Sequence, residues 1–258
     1  MKKSTILIGI MFILIMLQCF PTMVYASGKA DYQVYIKYYK RNSIIVEFPQ
    51  IRGLSNSKEQ KEINFLLEHE VFNYITDWFN FWEDKNLKVS DILKTISNTK
   101  DQTLEFKCQP SFSNNHLLSI RYAVYAYSKG AAHPNTWGYS YTIDLDRLKV
   151  LKLNDIIKLD KSILKYKGNV IFDRDFDSKP EKGTYKLIDV MNYNGLYTNK
   201  EVLNGLINEN VCWYLTKSKE VSFFFNTQNH DEEFVISFQD IKKLIRAPYL
   251  NKISRKIF

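Results

Sequence analysis

The chain has 258 residues, 45% of them hydrophobic, 25% charged and 15% aromatic, with only 9 Gly and 6 Pro. These proportions exclude a collagen-like, linker-like or wholly disordered chain and leave room for one large domain or two small intertwined ones. The formal net charge of +8 draws such a protein toward polyanions such as wall polymers, acidic glycans or anionic headgroups, although its basic residues are spread along the chain.

Residues 1–26 have the three parts of a secretory signal. Lys2 and Lys3 form the positive end, Ile6 to Leu17 the apolar run, and Val24-Tyr25-Ala26 the cleavage positions. Cleavage after Ala26 is the reading. The alternatives are an uncleaved anchor, which Gln18, Pro21 and Thr22 interrupt, and a lipoprotein at Cys19, where Gln18 stands in place of a small residue. In each case the folded part lies outside the cytoplasm, secreted or associated with a bacterial cell envelope. The mature chain keeps Cys108 and Cys212, which either pair in an oxidising compartment or stay as small buried hydrophobes; the sequence leaves both open.

Tyr32 to Tyr39 alternate in period two, which predicts a strand, and Ser43 to Phe48 predict a second. Pro49 to Leu54 read as a loop. A long helix begins near Ser57, with Ser57 and Gln60 as a capping box, and carries an apolar stripe at Ile63, Leu66, Leu67, Val71, Ile75, Trp78, Phe79 and Trp82. His69 falls off that stripe, on the exposed side. Lys85 to Asp101 is a polar stretch. Thr103 to Phe112 is a strand candidate with Leu104, Phe106 and Cys108 on one face. Leu117 to Tyr127 and Trp137 to Leu145 form an antiparallel hairpin with a long loop.

In the second half, Lys149 to Leu153 predict a short strand, and Asn154-Asp155 cap a short helix. Thr198 with Glu201 makes a capping box before a helix that carries Leu203, Leu206, Ile207, Val211, Cys212 and Tyr214. Val221 to Phe225 and Glu233 to Phe238 read as a closing hairpin, and Gln239 to Ile245 as a terminal helix. Segregated helices and strands make the class α+β. The expected architecture is an antiparallel sheet packed on a long amphipathic helix, with a second smaller α+β half. The expected boundaries are 27–146 and 147–258, packed as one unit.

Chemistry is sparse. His69, His116, His133 and His230 have no metal-helix spacing, and neither a G-x-S-x-G elbow nor a phosphate-cradling glycine loop is present, so no metal and no cofactor is expected. Asp173, Asp175 and Asp177 imitate a calcium loop but meet Ser178 and Thr184 where glycine and glutamate are required, which makes a surface turn. The segment Gly130-Ala131-Ala132-His133-Pro134-Asn135 stands out as a loop on a rigid hairpin. Gly130, His133, Asn135, Tyr139 and Asp144 are the candidate ligand-binding residues. A hydrolase using His133 as base with Asp144 is the alternative. Packing of His133 into its own loop is the plainer reading.

Phe48-Pro49-Gln50-Ile51-Arg52-Gly53-Leu54-Ser55-Asn56, with Asn64 after it, resembles the opening of an exported bacterial module. That module occurs as the accessory domain of PdaC-type peptidoglycan deacetylases and in RsiV-like anti-sigma factors that sense lysozyme. The Gly130 to His133 loop, Tyr139 to Leu145 and Leu151-Lys152-Leu153-Asn154-Asp155-Ile156 are similar to its second half. Asp146-Arg147-Leu148-Lys149 departs from the family's threonine-glycine-lysine turn. The deacetylase's paired aspartates and H-x-x-x-H spacing are missing, and only Met1, Lys2 and Lys3 precede the apolar run. The resemblance therefore implies a non-catalytic binding module of the cell envelope, recognising a wall glycan or a wall-associated protein such as lysozyme, with no nucleic-acid partner.

Overall fold

The computed structural model describes residues 24–25, 31–83, 88–98, 101–172, 181–192, 197–208, 211–226 and 231–254. The signal segment apart from Val24 and Tyr25, and the Asp173 to Asp177 run, lie outside the described residues. The fold is α+β, built on two sheets.

The first sheet runs in chain order: β1 (Val24–Tyr25), β2 (Gln33–Arg41), β3 (Ile44–Arg52), β4 (Gln102–Ser113), β5 (Leu117–Ser128), β6 (Asn135–Asp144) and β7 (Lys149–Leu151). Neighbours are antiparallel except β3 and β4, which pair in parallel through Ile44–Val46. A parallel pair needs a long crossover. Here the crossover carries α1 (Ser57–Glu83) and α2 (Val89–Asn98).

Helix α1 buries Ile63, Leu67, Val71 and Ile75, four residues apart, on the face of the sheet that presents Val34, Val46, Leu104, Phe106, Ile120 and Tyr122. Its start differs from the expected capping box. Asn56 Oδ1 accepts from Lys58 N at 3.1 Å and Glu59 N at 3.3 Å, so Asn56 is the cap and Ser57 the first helical residue. Gln60 instead accepts from Leu54 N at 3.2 Å. Asn64 grips β3 through Ile51 N at 2.7 Å and Ile51 O at 3.0 Å, which gives the Phe48 to Asn64 motif a clamping role.

Pro49 is part of β3, opposite Ile36, rather than a loop. The parallel pairing to β4 stops at Val46, so the missing N–H of Pro49 costs no ladder bond there. Helix α2 was hidden in the polar stretch; it contributes Ile92 and Leu93 to the core.

Sheet two has the order β10 (Cys212–Leu215), β11 (Glu220–Asn226), β12 (Asp231–Ser237), β8 (Lys167–Phe172) and β9 (Glu181–Lys186), antiparallel throughout. Short helices α3 (Leu153–Ile156), α4 (Leu187–Met191) and α5 (Asn199–Ile207) and the C-terminal α6 (Ala247–Ser254) surround it. The closing hairpin is β11–β12, and Thr198 with Glu201 does form the capping box of α5.

Two expectations fail here. Cys212 and Tyr214 lie in β10, not on a helix, because a short apolar run is ambiguous in period and pairing with Phe224 and Ser222 on β11 decides it. The terminal helix follows Gln239 to Ile245 instead of occupying it; that segment is a run of turns burying Ile241, Leu244 and Ile245. Strand β8 carried no sequence prediction, and β9 begins within Asp173 to Gly183, a stretch whose charged composition reads as turns.

The two sheets lock through small polar side chains on the back of β5 and β6. Ser119 and Thr142 hydroxyls pair at 2.7 Å, Leu215 N donates to Ser119 Oγ at 3.0 Å, and Ser140 Oγ donates to Trp213 O at 2.7 Å. Buried polar groups are tolerable because each finds a partner. Gly138 permits the approach: a Cβ there would lie 2.0 Å from Phe224 Cε1. Among the described residues no helix is long and apolar enough to cross a membrane.

Candidate functional site

The residues singled out in the sequence are strung along β6 rather than gathered. Gly130 (φ +92°) makes the turn after β5, where glycine alone is at ease. His133 and Asn135 are exposed, with His133 Nδ1 3.0 Å from the carbonyl of Pro134. Tyr139 stacks on Tyr74 of α1, ring centroids 3.8 Å apart, and burial pushes its hydroxyl pKa far up. Asp144 ends the strand, fully buried. At about 3.3 Å per residue, the nine steps from Asn135 to Asp144 separate the loop from that carboxylate by about 30 Å. His133 and Asp144 therefore do not meet, and the acid–base pair of the hydrolase reading is not formed.

Asp144 has another occupation. Lys252 Nζ of α6 bonds both its oxygens at 2.7 and 2.8 Å, Tyr249 Oη donates at 3.2 Å, and Asp146 N donates at 3.1 Å. Lys252 also meets Asp146 at 2.8 Å, and His116 Nδ1 lies 3.0 Å from the same carboxylate. Desolvation would raise Asp146, but hydrogen bonds from Lys252 and His116 outweigh it and hold its pKa below the ordinary value. This cluster anchors α6 on the β6–β7 hairpin.

Between the sheets, Arg121 Nη2 lies 3.3 Å from Glu233 Oε2. The hydroxyls of Tyr214 and Ser222 donate to Glu233, and the guanidinium sits over the rings of Tyr214 and Phe224 at 5.3 and 5.7 Å. The crevice beside it, walled by Gly138, Cys212 and Phe224, has no room for a water molecule. It is a packed junction. Cys108 and Cys212 both remain thiols. Cys108 pairs across β4–β5 with Tyr122, and Tyr122 across β5–β6 with Tyr139, whose neighbour Gly138 accepts from Cys212 Sγ at 3.2 Å. Strand β5 thus lies between Cys108 and the β6 backbone that Cys212 touches, a separation of about 9.6 Å as two strand spacings.

An open groove of about 700 Å³ lies on the outer side of the α1–α2 pair, lined by Phe65, Glu68, His69, Phe72, Lys88, Ser90 and Leu93. Phe65 is 69% exposed. Its ring stacks on His69, one helical turn on, with centroids 5.3 Å apart. Phe72 is fixed from behind by edge contacts with Tyr39 and Phe48, and buried Leu93 closes the floor. Glu68, Lys88 and Ser90 stand exposed at the rim. An apolar, aromatic base with a few polar groups around it is the usual make-up of a ligand cleft. The sequence carried one signal for it, an aromatic pair at i, i+4 on the polar side of a helix; Lys88, Ser90 and Leu93 were lost with the unrecognised α2.

No family model matches the chain, and no curated protein matches it. Among solved structures the chain is similar to a DUF3298 family member from Bacteroides fragilis NCTC 9343, at 14% identity and a TM-score of 0.48, over 90% of this chain and 100% of that one. It is also similar to a DUF3298 family protein from Pseudomonas aeruginosa PAO1, at 10% identity and a TM-score of 0.45, over 84% and 94% of the two chains.

Proposed function

We propose that this chain is an exported, non-catalytic binding module of the bacterial cell envelope, and that the groove between α1 and α2 holds an extended wall glycan. The observation that carries the reading is the Phe65–His69 stack. It is a stacked aromatic platform left open to solvent, where burial against the core would be the default for a phenylalanine. The flat apolar face of a sugar ring packs on such a platform, while hydroxyl, acetamido and carboxylate groups meet Ser90, Glu68 and Lys88 at the rim.

The signal-like N-terminus, the basic net charge and the resemblance to envelope modules support the same reading. Lysozyme is the weaker candidate ligand, because lysozymes of the common kind are basic and long-range steering would oppose the encounter. The hydrolase alternative has lost its His133–Asp144 pair. Co-sedimentation with purified peptidoglycan sacculi tests the proposal. Retention by the wild type that is lost in Phe65→Ala supports it; equal retention of both, or retention of neither, contradicts it.

A further inference from the structure

We propose that the cleft continues past Phe65 into a second lobe and so takes an acidic glycan chain longer than one disaccharide, with Phe65 beneath its middle and Leu148 as the residue that senses the added length. The inference rests on the reading of the Phe65 groove as a glycan site and names the chain that fits it.

Beside the groove lies a second open hollow of about 360 Å³, lined by Lys61, Glu62, Phe65, Leu66 and Leu148. Phe65 belongs to both walls, so its ring is the partition where the two meet. Lys61, Phe65 and His69 follow one another four residues apart on α1, which sets them in a row on one face over about 12 Å of helix axis. A row of that length outruns a single pyranose ring. Leu66, packed against the main core, fixes the floor of the second lobe.

Leu148 reaches the hollow from the turn between β6 and β7, and its backbone lies in the left-handed region at φ +50°. That conformation is unfavourable for a residue with a Cβ, and glycine or asparagine would hold the turn at less cost. Leu148 stays exposed and belongs to neither of the described core clusters. Its strained position therefore serves a contact in the hollow rather than one in the core. The charges of this lobe point the same way. Glu62 is engaged by Lys58 at 3.8 Å, whereas the exposed Lys61 ammonium forms no ion pair among the described residues. A cation beside an apolar floor suits sugars that carry carboxylates, as the stem-bearing sugars of a wall glycan do.

The test is a calorimetric titration of soluble wall fragments of one and of two disaccharide units, each with its peptide stems. The wild type should bind the two-unit fragment about tenfold more tightly than the one-unit fragment, since a second contact on the same chain is intramolecular. Leu148→Gly should lose that gain while keeping the one-unit affinity. It should melt no lower than the wild type, because relief of the left-handed strain offsets the lost side chain. Leu148→Asn, which also tolerates the turn, should behave alike. Lys61→Gln should weaken the two-unit fragment alone, and uncharged chitotetraose, equal in sugar number, should bind more weakly than that fragment. Equal wild-type affinity for both lengths, an undiminished preference for the longer one in both Leu148 variants, or chitotetraose bound as tightly as the two-unit fragment overturns the proposal and leaves the Phe65 groove standing. Failure of the wild type to bind any of the fragments sinks the groove reading itself, and this inference with it.

Discussion

The ring of Phe65 lies within 15° of parallel to the imidazole of His69, with 5.3 Å between centroids, on the solvent side of α1. Nothing in the core asks for this pair: Ile63, Leu67, Val71 and Ile75 already fill the buried stripe. Replacing either ring should leave folding within about 0.5 kcal/mol of the wild type, which makes the pair a clean probe of binding.

Gly138→Ala should be far costlier than its single methyl suggests. The new carbon would stand 2.0 Å from Phe224 Cε1, and Phe224 is itself buried. Overpacking of this kind costs about 1–3 kcal/mol. Urea unfolding should show that loss, and Phe224→Leu in the same chain should recover part of it. Additive losses would mean the two sites do not touch.

Arg121 and Glu233 are 13% and 7% exposed, so neither charge can be rehydrated cheaply once its partner is gone. Arg121→Met or Glu233→Met alone should cost about 3–5 kcal/mol. The double replacement should cost less than either single one, because no orphan charge remains. A double-mutant cycle in urea gives the coupling directly.

Lys252→Met takes from the buried Asp144 carboxylate its closest cation and should cost about 3 kcal/mol, the low end for a broken buried pair because Tyr249 Oη and Asp146 N still donate to it and Arg147 Nε stays 3.8 Å away. The loss is pH-dependent at both ends. Asp146 has a depressed pKa, so its contribution is present above the unfolded value of 3.8 and fades as pH falls through the lower folded value. For Lys252, burial alone would lower the pKa, but Asp144 and Asp146 raise it. Its contribution is full below 10.5 and fades as pH rises through the folded value. The stability gap between wild type and variant should be widest between those limits and narrow outside them. A gap that grew below pH 3.8 would contradict the assignment.

Asn56→Ala should destabilise by about 1 kcal/mol, whereas Ser57→Ala should be nearly neutral, since the cap bonds to Lys58 N and Glu59 N come from Asn56. Thermal melts of the two variants distinguish the caps.

The first sheet and α1 were legible because their periods are long and unbroken: Thr103 to Phe112, Leu117 to Tyr127 and Trp137 to Leu145 alternate, and Ile63 to Phe79 keep a helical stripe. Where local chemistry was ambiguous, tertiary pairing decided. Val211 to Leu215 suits a helix or a strand equally, and β11 made it a strand. Lys85 to Asp101 looked like a connector because its few apolar residues are set among polar ones, and only the packing of Ile92 and Leu93 against the core marks it as a helix of the fold. Strand β9 reads as a charged turn by composition, and only β8 beside it gives it a ladder. The site was the least legible. Gly130, His133 and Asp144 attracted notice by residue type, whereas Phe65, His69 and Lys88 become a surface only when α1 and α2 lie side by side.

The most direct measurement is a calorimetric titration of soluble peptidoglycan fragments, glycan strands with their peptide stems attached, into wild type, Phe65→Ala and His69→Ala. The account predicts saturable binding by the wild type and at least about a tenfold loss in Phe65→Ala, the 1.4 kcal/mol of a lost hot-spot ring, with a smaller loss in His69→Ala and unchanged melting of all three. Undiminished affinity in Phe65→Ala, or no heat of binding from the wild type, would contradict it.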